Sequence, residues 1–599
     1  MFWRITAVFF LPLLLLALAI HRRGAFSTPR PTSPWRKFLV VGIAGFAALL
    51  VLSGLTSQSK SLFVDLTPGN SNRIHPAVSR ILAPVNTDIR VEMVISERNA
   101  MPARLKHLES GLRNQLRQLN IPFSVIRPED LDAAGQSALR AAGLGPFSTM
   151  SVSDDEQSVA EIWSAMRVMC QGRETVIPQI DQQSLTDFQF LISAAVDRCR
   201  AGNQGPVVGF LSDLPRLSAA EAHQDYTQMG YIAPEGTDVY SEARRLLERY
   251  GYQVVYINPK APQLPAQMDA LVWLQPRVAG PLIPAFSDYL ARGGKAFVAL
   301  QQYNVQQRQY RGAGYQTVYW PQPQNHRMND YLQLIGILQT GEKAGDKPAE
   351  VLFDANYGRL ALDTRIFQRS QFREKDRQEV ARPFLIRAVG PGLSKESPVT
   401  ARLGALLFIW GNRFQLDESN LTTAGLRVKT LVTTSPQVWT YDWVGGWIPE
   451  TALIPPSTFL GTPLTLAVQV DGIFPRAVPK EPSNPSDPFD LEPRSTGDSP
   501  GQLILAGCSE MFKNNALFHP DYQHQQLLLN AAAYLTRAPD LADLQARHTA
   551  PQMFSRPEPG AALLARALVI VSGPALFLLF GFWRLFRSRQ ALPLPGAEK

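Results

Sequence analysis

The sequence predicts an α/β protein anchored in a membrane: a small thioredoxin-like α/β domain, then a doubly wound, flavodoxin-like one, with transmembrane helices at both ends. Three observations predict it. Apolar runs of near-spanning length occupy Phe2–Ile20, Phe38–Leu55 and Leu563–Trp583, and a hydrocarbon layer roughly 30 Å thick takes about 20 apolar helical residues. Between the last two runs, short stretches rich in branched residues alternate with segments whose apolar positions recur every three or four residues, a pattern of strands and helices. From Pro206 onward the strands are almost continuously apolar, as in a parallel sheet covered on both faces.

Residues 1–57 read as two transmembrane helices joined by a basic loop. Arg22, Arg23, Arg30, Arg36 and Lys37 crowd that loop, and Arg584, Arg587 and Arg589 follow the last run. Short basic loops stay cytoplasmic, so the bulk of the chain is expected outside the cytoplasm, on a multi-pass inner-membrane protein. A cleavable signal peptide is the alternative for the first run, with Arg4 and the leucine-rich stretch as its parts, although no small-x-small site follows Ile20. The net charge of +8 does not indicate a nucleic-acid partner. Residues 1–60 carry seven Lys/Arg and no acid and residues 561–599 a net +4, which leaves −3 for the middle. No basic stripe with interleaved aromatics remains there to follow a phosphate backbone.

The first domain spans 60–204. Ile89–Ile95 and Phe123–Ile126 read as strands, separated by a helix over 102–119 with Leu105, Leu108, Leu112, Leu116 and Leu119 in one stripe. Ile162–Met169 and Glu174–Ile177 flank the polar turn Gln171-Gly172-Arg173, a hairpin. Ser184 with Asp187 resembles a capping pair before a helix carrying Phe188, Leu191, Ile192 and Ala195. Three cysteines are too few for a disulfide scaffold, and none lies in a Cys-x-x-Cys. Cys170 and Cys199 are either a disulfide pair in an oxidising compartment or two unpaired small apolar residues.

The second domain spans 205–541. Val207–Leu211, Gln253–Ile257, Asp269–Leu274, Lys295–Leu300 and Leu503–Ala506 read as strands. Helices are expected over 237–250, stopped at Gly251, over Leu282–Arg292, stopped at Gly293-Gly294, and over 522–536. Residues 303–476 read as an elaboration, with a helix at Arg327–Ile337 and short strands at Leu406–Trp410, Thr430–Thr433 and Leu464–Val470. Residues 477–500, rich in Pro, Ser and Asp, read as a flexible loop. A linker over 542–561, the last transmembrane helix over 562–586 and a cytoplasmic tail over 587–599 complete the chain.

Asp65-Leu66-Thr67 after the anchor, Pro102-Ala103 opening the leucine-striped helix, and Gln171-Gly172-Arg173-Glu174-Thr175-Val176-Ile177-Pro178 followed by Phe188 and Ala194 resemble the GldG-type auxiliary component of ABC transport systems associated with gliding motility. The second domain resembles the same family's GIFT-type domain. The residues concerned are Val207-Val208-Gly209-Phe210-Leu211, Asp269-Ala270-Leu271-Val272-Trp273-Leu274 and Tyr289-Leu290-Ala291-Arg292-Gly293-Gly294-Lys295. Thr433-Thr434-Ser435-Pro436, Leu464-Thr465-Leu466-Ala467-Val468, Gly507-Cys508-Ser509-Glu510-Met511-Phe512 and Leu529-Asn530-Ala531-Ala532 continue it. Two features depart from the pattern: the apolar hairpin ahead of the usual single anchor, and Cys508, where many relatives carry an acidic residue. The resemblance implies a non-enzymatic extracytoplasmic accessory subunit that docks on an ABC permease, works with its ATPase and acts as adaptor, sensor or substrate-handling module.

The chemistry-bearing residues agree with a non-enzymatic reading. No G-x-x-x-x-G-K-[ST] loop occurs, and Gly392-Leu393-Ser394-Lys395 lacks the glycine-lysine step that aims backbone amides at phosphates. His519 and His524 are five apart, a spacing that does not set two rings on one helical face, so neither a metal nor another cofactor is expected. Cys508 is the catalytic candidate, because a nucleophile on a strand-to-turn elbow is how several hydrolases present a reactive atom, and His519 or His524 is the local base. Ala506 and Glu510 stand where the elbow's glycines belong. In doubly wound sheets ligands collect beyond the carboxyl ends of the strands, which makes Ser212, Asp213, Gln275, Gln301 and Gln302 the candidate binding residues for a sugar or peptide-like ligand. The alternatives to the accessory subunit are a membrane-tethered Cys508 hydrolase or amidotransferase-like enzyme, and a cell-envelope scaffold.

Overall fold

Strands β1 (Arg90–Ile95), β2 (Phe123–Ile126), β3 (Ser164–Cys170) and β4 (Arg173–Ile177) form a four-stranded sheet in the order β2-β1-β3-β4. β1 and β2 are parallel, whereas β3 is antiparallel to β1 and β4 to β3. The computed structural model describes residues 74–85, 88–102, 105–153, 156–202, 205–212, 238–259, 263–276, 282–311, 315–324, 326–341, 349–358, 382–479 and 491–546. The three apolar runs lie outside these residues. Among the described residues no helix is long and apolar enough to cross a membrane.

A short helix α1 (Pro76–Leu82) precedes β1, and the leucine stripe folds as α2 (Leu108–Gln118), burying Leu108, Leu112 and Leu116. The β3–β4 hairpin turns through Gln171 and Gly172 with φ of 51° and 74°, the left-handed pair that matches strand twist in a two-residue turn. The expected capping pair is different. Ser184 N–H and Oγ–H donate to Asp181 Oδ1 at 2.8 and 2.9 Å. Asp187 precedes α3 (Phe188–Arg200) without a side-chain cap bond. Its carboxylate instead accepts the buried Tyr250 hydroxyl, a long-range partner that outcompetes the local amide.

The second sheet has seven strands: β5 (Val207–Ser212), β6 (Gln253–Ile257), β7 (Ala270–Leu274), β8 (Lys295–Ala299), β9 (Arg427–Thr433), β10 (Thr465–Gly472) and β11 (Gly501–Ala506). They lie in the order β9-β10-β11-β8-β7-β5-β6. β6, β5, β7, β8 and β11 run parallel. The expectation of a wholly parallel sheet is corrected at one edge, where β10 and β9 come from the elaboration and pair antiparallel. The fold is therefore mixed α/β.

Alternate residues of these strands enter two cores. Val272 and Leu274 pack on the face shared with α4 (Ser241–Arg249) and α7 (His524–Thr536), while Leu271 and Trp273 pack against α5 (Leu282–Ala291) and α6 (Met328–Leu334). α4 and α5 stop where expected, followed by Gly251 at φ 84° and Gly293 at φ 87°. The first of these cores is continuous with that of the four-stranded sheet, taking in Met93, Val168 and Phe188. At the junction the Arg537 guanidinium sits 4.5 Å from the Tyr252 ring centroid and 5.3 Å from that of Phe190. It also donates to the Tyr250 carbonyl at 2.9 Å and the Tyr252 hydroxyl at 3.1 Å.

The elaboration is built of antiparallel pairs around an aromatic core. Tyr303–Arg311 pairs with Tyr315–Pro323, Ala349–Asp354 with Val438–Trp443, and Leu385–Val389 with Ala405–Ile409. Phe384 and Trp410 stack at 4.2 Å at its centre. The segment 477–500, expected as a loop, supplies strands on both flanks: Arg476–Pro479 pairs with Leu491–Ser495. Ala477 is what holds it, exchanging two hydrogen bonds of 3.1 Å with the Ser287 hydroxyl of α5. Residues 480–490 lie outside the described residues.

Candidate functional site at the carboxyl ends of the strands

Strand order reverses at β5, which pairs with β6 on one side and β7 on the other. A crevice outside the carboxyl ends at such a switch point is where open α/β sheets bind ligands. Ser212 closes β5 and is buried, and Gln275 follows β7. Asp213 lies outside the described residues.

The three glutamines lie at neighbouring strand ends, but their side chains are bonded to buried backbone groups and to Ser509. Gln275 takes φ 53°, a left-handed conformation that costs a residue with a side chain about 1 kcal/mol. Its Nε2 donates to the Pro276 carbonyl at 3.3 Å and the Gln301 carbonyl at 3.2 Å, and its Oε1 accepts the Ser509 hydroxyl. Gln301 Nε2 donates to the Tyr303 carbonyl at 2.9 Å, and its Oε1 accepts Ser509 N–H at 3.3 Å and Glu510 N–H at 3.4 Å. Gln302 N–H donates to Asn412 Oδ1 at 3.0 Å, and Gln302 Nε2 to the Gln339 carbonyl at 3.5 Å. Gln339 Nε2 in turn donates to the Leu300 carbonyl at 3.0 Å, and its Oε1 pairs with His326 Nε2 at 2.9 Å.

This buried amide network ties the ends of β7, β8 and β11 to the elaboration. Neutral amides orient and clamp; they do not exchange protons near pH 7. Sequence reasoning missed Ser509, His326, Gln339 and Asn412. Ser509 had a signal, its place just past the last strand, whereas the other three come from the elaboration, where no periodicity pointed to them. Replacing Gln301 with Leu strips acceptors from two backbone N–H groups and a donor from Tyr303. An unfolding titration in urea is expected to show a loss of about 2–3 kcal/mol, the cost of orphaned buried polar groups, and an unchanged midpoint refutes the clamp.

Beside the network, Gln275, Tyr303, Asn304, Gln324, Glu510 and Lys513 line a cleft of about 10 Å³. Glu510 and Lys513 form an ion pair of 2.5 Å at its rim. Small-molecule sites usually run to roughly 300–1,000 Å³, so this cleft has room for about one water molecule and no organic ligand. Among the described residues no group of three His, Cys, Asp or Glu is placed to hold a metal.

Cys508 does not present a nucleophile. Its side chain is fully buried and its thiol donates to the Ile409 carbonyl at 3.4 Å. Burial, with the Glu510 charge adding to it, pushes the thiol up to about 12, whereas a reactive cysteine needs its pKa lowered. The proposed bases are occupied as well. His524 Nε2 accepts Leu407 N–H at 3.0 Å and its Nδ1 pairs with the Ala516 carbonyl at 2.9 Å, so Nδ1 carries the proton. His519 Nδ1 accepts Asp521 N–H at 3.2 Å. Iodoacetamide at pH 8 is expected to leave Cys508 unmodified in the folded protein and to label it after denaturation. Rapid labelling of the native protein at this residue, read by peptide mass, would restore the hydrolase alternative. Cys170 and Cys199 are both buried.

Residues 205–538 match the family model described as ABC-type uncharacterized transport system. The matched stretch contains the whole seven-stranded sheet and the amide network. A search of the curated proteins found no match.

Proposed function

The chain belongs to the ABC-type uncharacterized transport system auxiliary family, and on that premise we propose that it is a non-enzymatic, extracytoplasmic accessory subunit of an ABC transporter. The family match carries the reading. Its absence of a P-loop means that ATP hydrolysis is the work of another subunit. The two basic clusters flanking the apolar runs support an inner-membrane protein whose folded body faces away from the cytoplasm. Within this role an adaptor is favoured over a receptor for a small ligand. The amides at the switch point are spent on buried backbone groups and on Ser509, and a crevice that satisfies its own polar groups has little left to offer a sugar or peptide. The first sheet is read as thioredoxin-like in topology without its redox motif, and the second domain as GIFT-like.

The test is purification of the tagged full-length chain from its native membranes in mild detergent. A polytopic permease and an ATPase carrying a P-loop are expected in stoichiometric amounts. Recovery of the chain alone, under conditions that keep other ABC complexes intact, would refute the accessory role. Protease added to intact spheroplasts is expected to digest the body, and digestion only in inside-out vesicles would refute the topology.

A further inference from the structure

Three cysteines are spread over 599 residues, yet two of them meet. Cys170 ends β3 and Cys199 lies in the last turn of α3. Cys199 Sγ is 3.4 Å from the Cys170 carbonyl oxygen and 3.4 Å from that of Arg173. The Cys199 thiol therefore sits against the backbone of Cys170 itself. Arg173, the register partner of Cys170 across the hairpin, donates from Nη1 to the Arg200 carbonyl at 2.9 Å, which fixes the hairpin end against the helix end. Neither residue is more than 1% exposed.

We propose that Cys170 and Cys199 are joined by a disulfide when the chain folds in an oxidising extracytoplasmic compartment, stapling the β3–β4 hairpin to the end of α3. The oxidant is a protein of the thiol–disulfide exchange class in its disulfide form. One cysteine thiolate attacks the donor disulfide, making a mixed disulfide and releasing one donor thiolate. The second cysteine thiolate then attacks the chain's sulfur of that mixed bond and expels the other donor sulfur. Two electrons pass to the donor, which leaves as a dithiol with the two protons the cysteines lose. In the folded protein burial, reinforced by the neighbouring Cys199, pushes Cys170 up to about 12, so exchange belongs to the incompletely folded chain. The same burial then shields the finished bond from reductant. It closes a loop within the first sheet's own core and lowers the entropy of the unfolded state.

The inference rests on the extracytoplasmic reading, and its test separates the two. Full-length protein is isolated from native membranes with free thiols trapped by alkylation, then mapped by peptide mass. The expected pattern is an alkylated Cys508 and a Cys170–Cys199 cross-linked peptide two hydrogen masses below the reduced pair. Dithiothreitol should lower the melting temperature by several degrees in the wild type and not in a Cys170→Ala, Cys199→Ala double variant. A second sample is refolded with oxidised glutathione. A bond formed there but absent from the native isolate overturns the proposal together with the extracytoplasmic reading. Three free thiols in both samples, with the body still digested in spheroplasts, overturn the disulfide alone.

Discussion

Gly507→Ala is expected to prevent the protein from folding. Gly507 follows β11, the strand between the parallel and antiparallel parts of the main sheet. Its N–H donates to the Leu466 carbonyl at 2.8 Å and its own carbonyl accepts Asn412 N–H at 2.7 Å. A Cβ added there would land on the Asn412 carbonyl oxygen, with the Leu466 carbonyl oxygen 3.1 Å away. Both walls are backbone, so no rotamer change makes room. Relief requires breaking either the β10–β11 pairing or the turn that carries Asn412 into the amide network. Overpacking a core costs about 1–3 kcal/mol even where side chains give way, so more than about 3 kcal/mol is expected here, a large part of a typical domain's stability. Gly145→Ala is the control, since nothing lies within 4 Å of its added Cβ, and it should stay within about 0.5 kcal/mol of the wild type. A Gly507→Ala protein with a wild-type denaturation midpoint would show that the contact between β11 and Asn412 is not fixed.

His524 makes stability fall in mild acid. Its ring is buried, stacks on Tyr522 at 5.6 Å and spends both nitrogens on backbone groups in the neutral form. Protonation would aim a second N–H at Leu407 N–H. Burial accordingly pushes its pKa down to about 4, against about 6.5 in the unfolded chain. As the pH drops below the unfolded value the unfolded chain takes up the proton first, so stability is full above about 6.5, declines toward 4 and is level below it. Between pH 7 and pH 5 this group alone removes about 2 kcal/mol. Urea titrations at the two pH values should show the wild type losing about that much more than His524→Gln, whose amide has no such proton to gain. Equal losses would place the acid sensitivity elsewhere.

The parallel strands were legible because each is a short apolar run with a clear stop. Gln253–Ile257 and Phe123–Ile126 are the strands the pattern indicates, and Gly251 and Gly293 end helices for a reason visible in one residue. In the elaboration single elements were legible, Met328–Leu334, Ala405–Ile409, Arg427–Thr433 and Thr465–Gly472 among them, but their arrangement was not, because its strands pair across long separations and its core is aromatic rather than periodic. Asp354 opposite Val438 is a partnership no local window contains. The site shows the same division. Sequence position put Gln275, Gln301 and Gln302 at strand ends, but only the distant Ser509, Gln339 and Asn412 decide that these amides turn inward. Local pattern makes Asp187 a helix cap, and Tyr250 overrules it from the end of α4.

The place of β11 governs how the molecule can be made. It is the last strand to emerge and it fills the gap between β8 and β10. Until Gly501–Ala506 arrives, Lys295–Ala299 and Thr465–Gly472 each present a bare hydrogen-bonding edge, the template on which chains aggregate. A polypeptide stalled or truncated before residue 501 therefore carries two sticky borders and no means of closing them. Such fragments should be found with holdase chaperones or in inclusion bodies, while full-length chains escape once the central strand slides home.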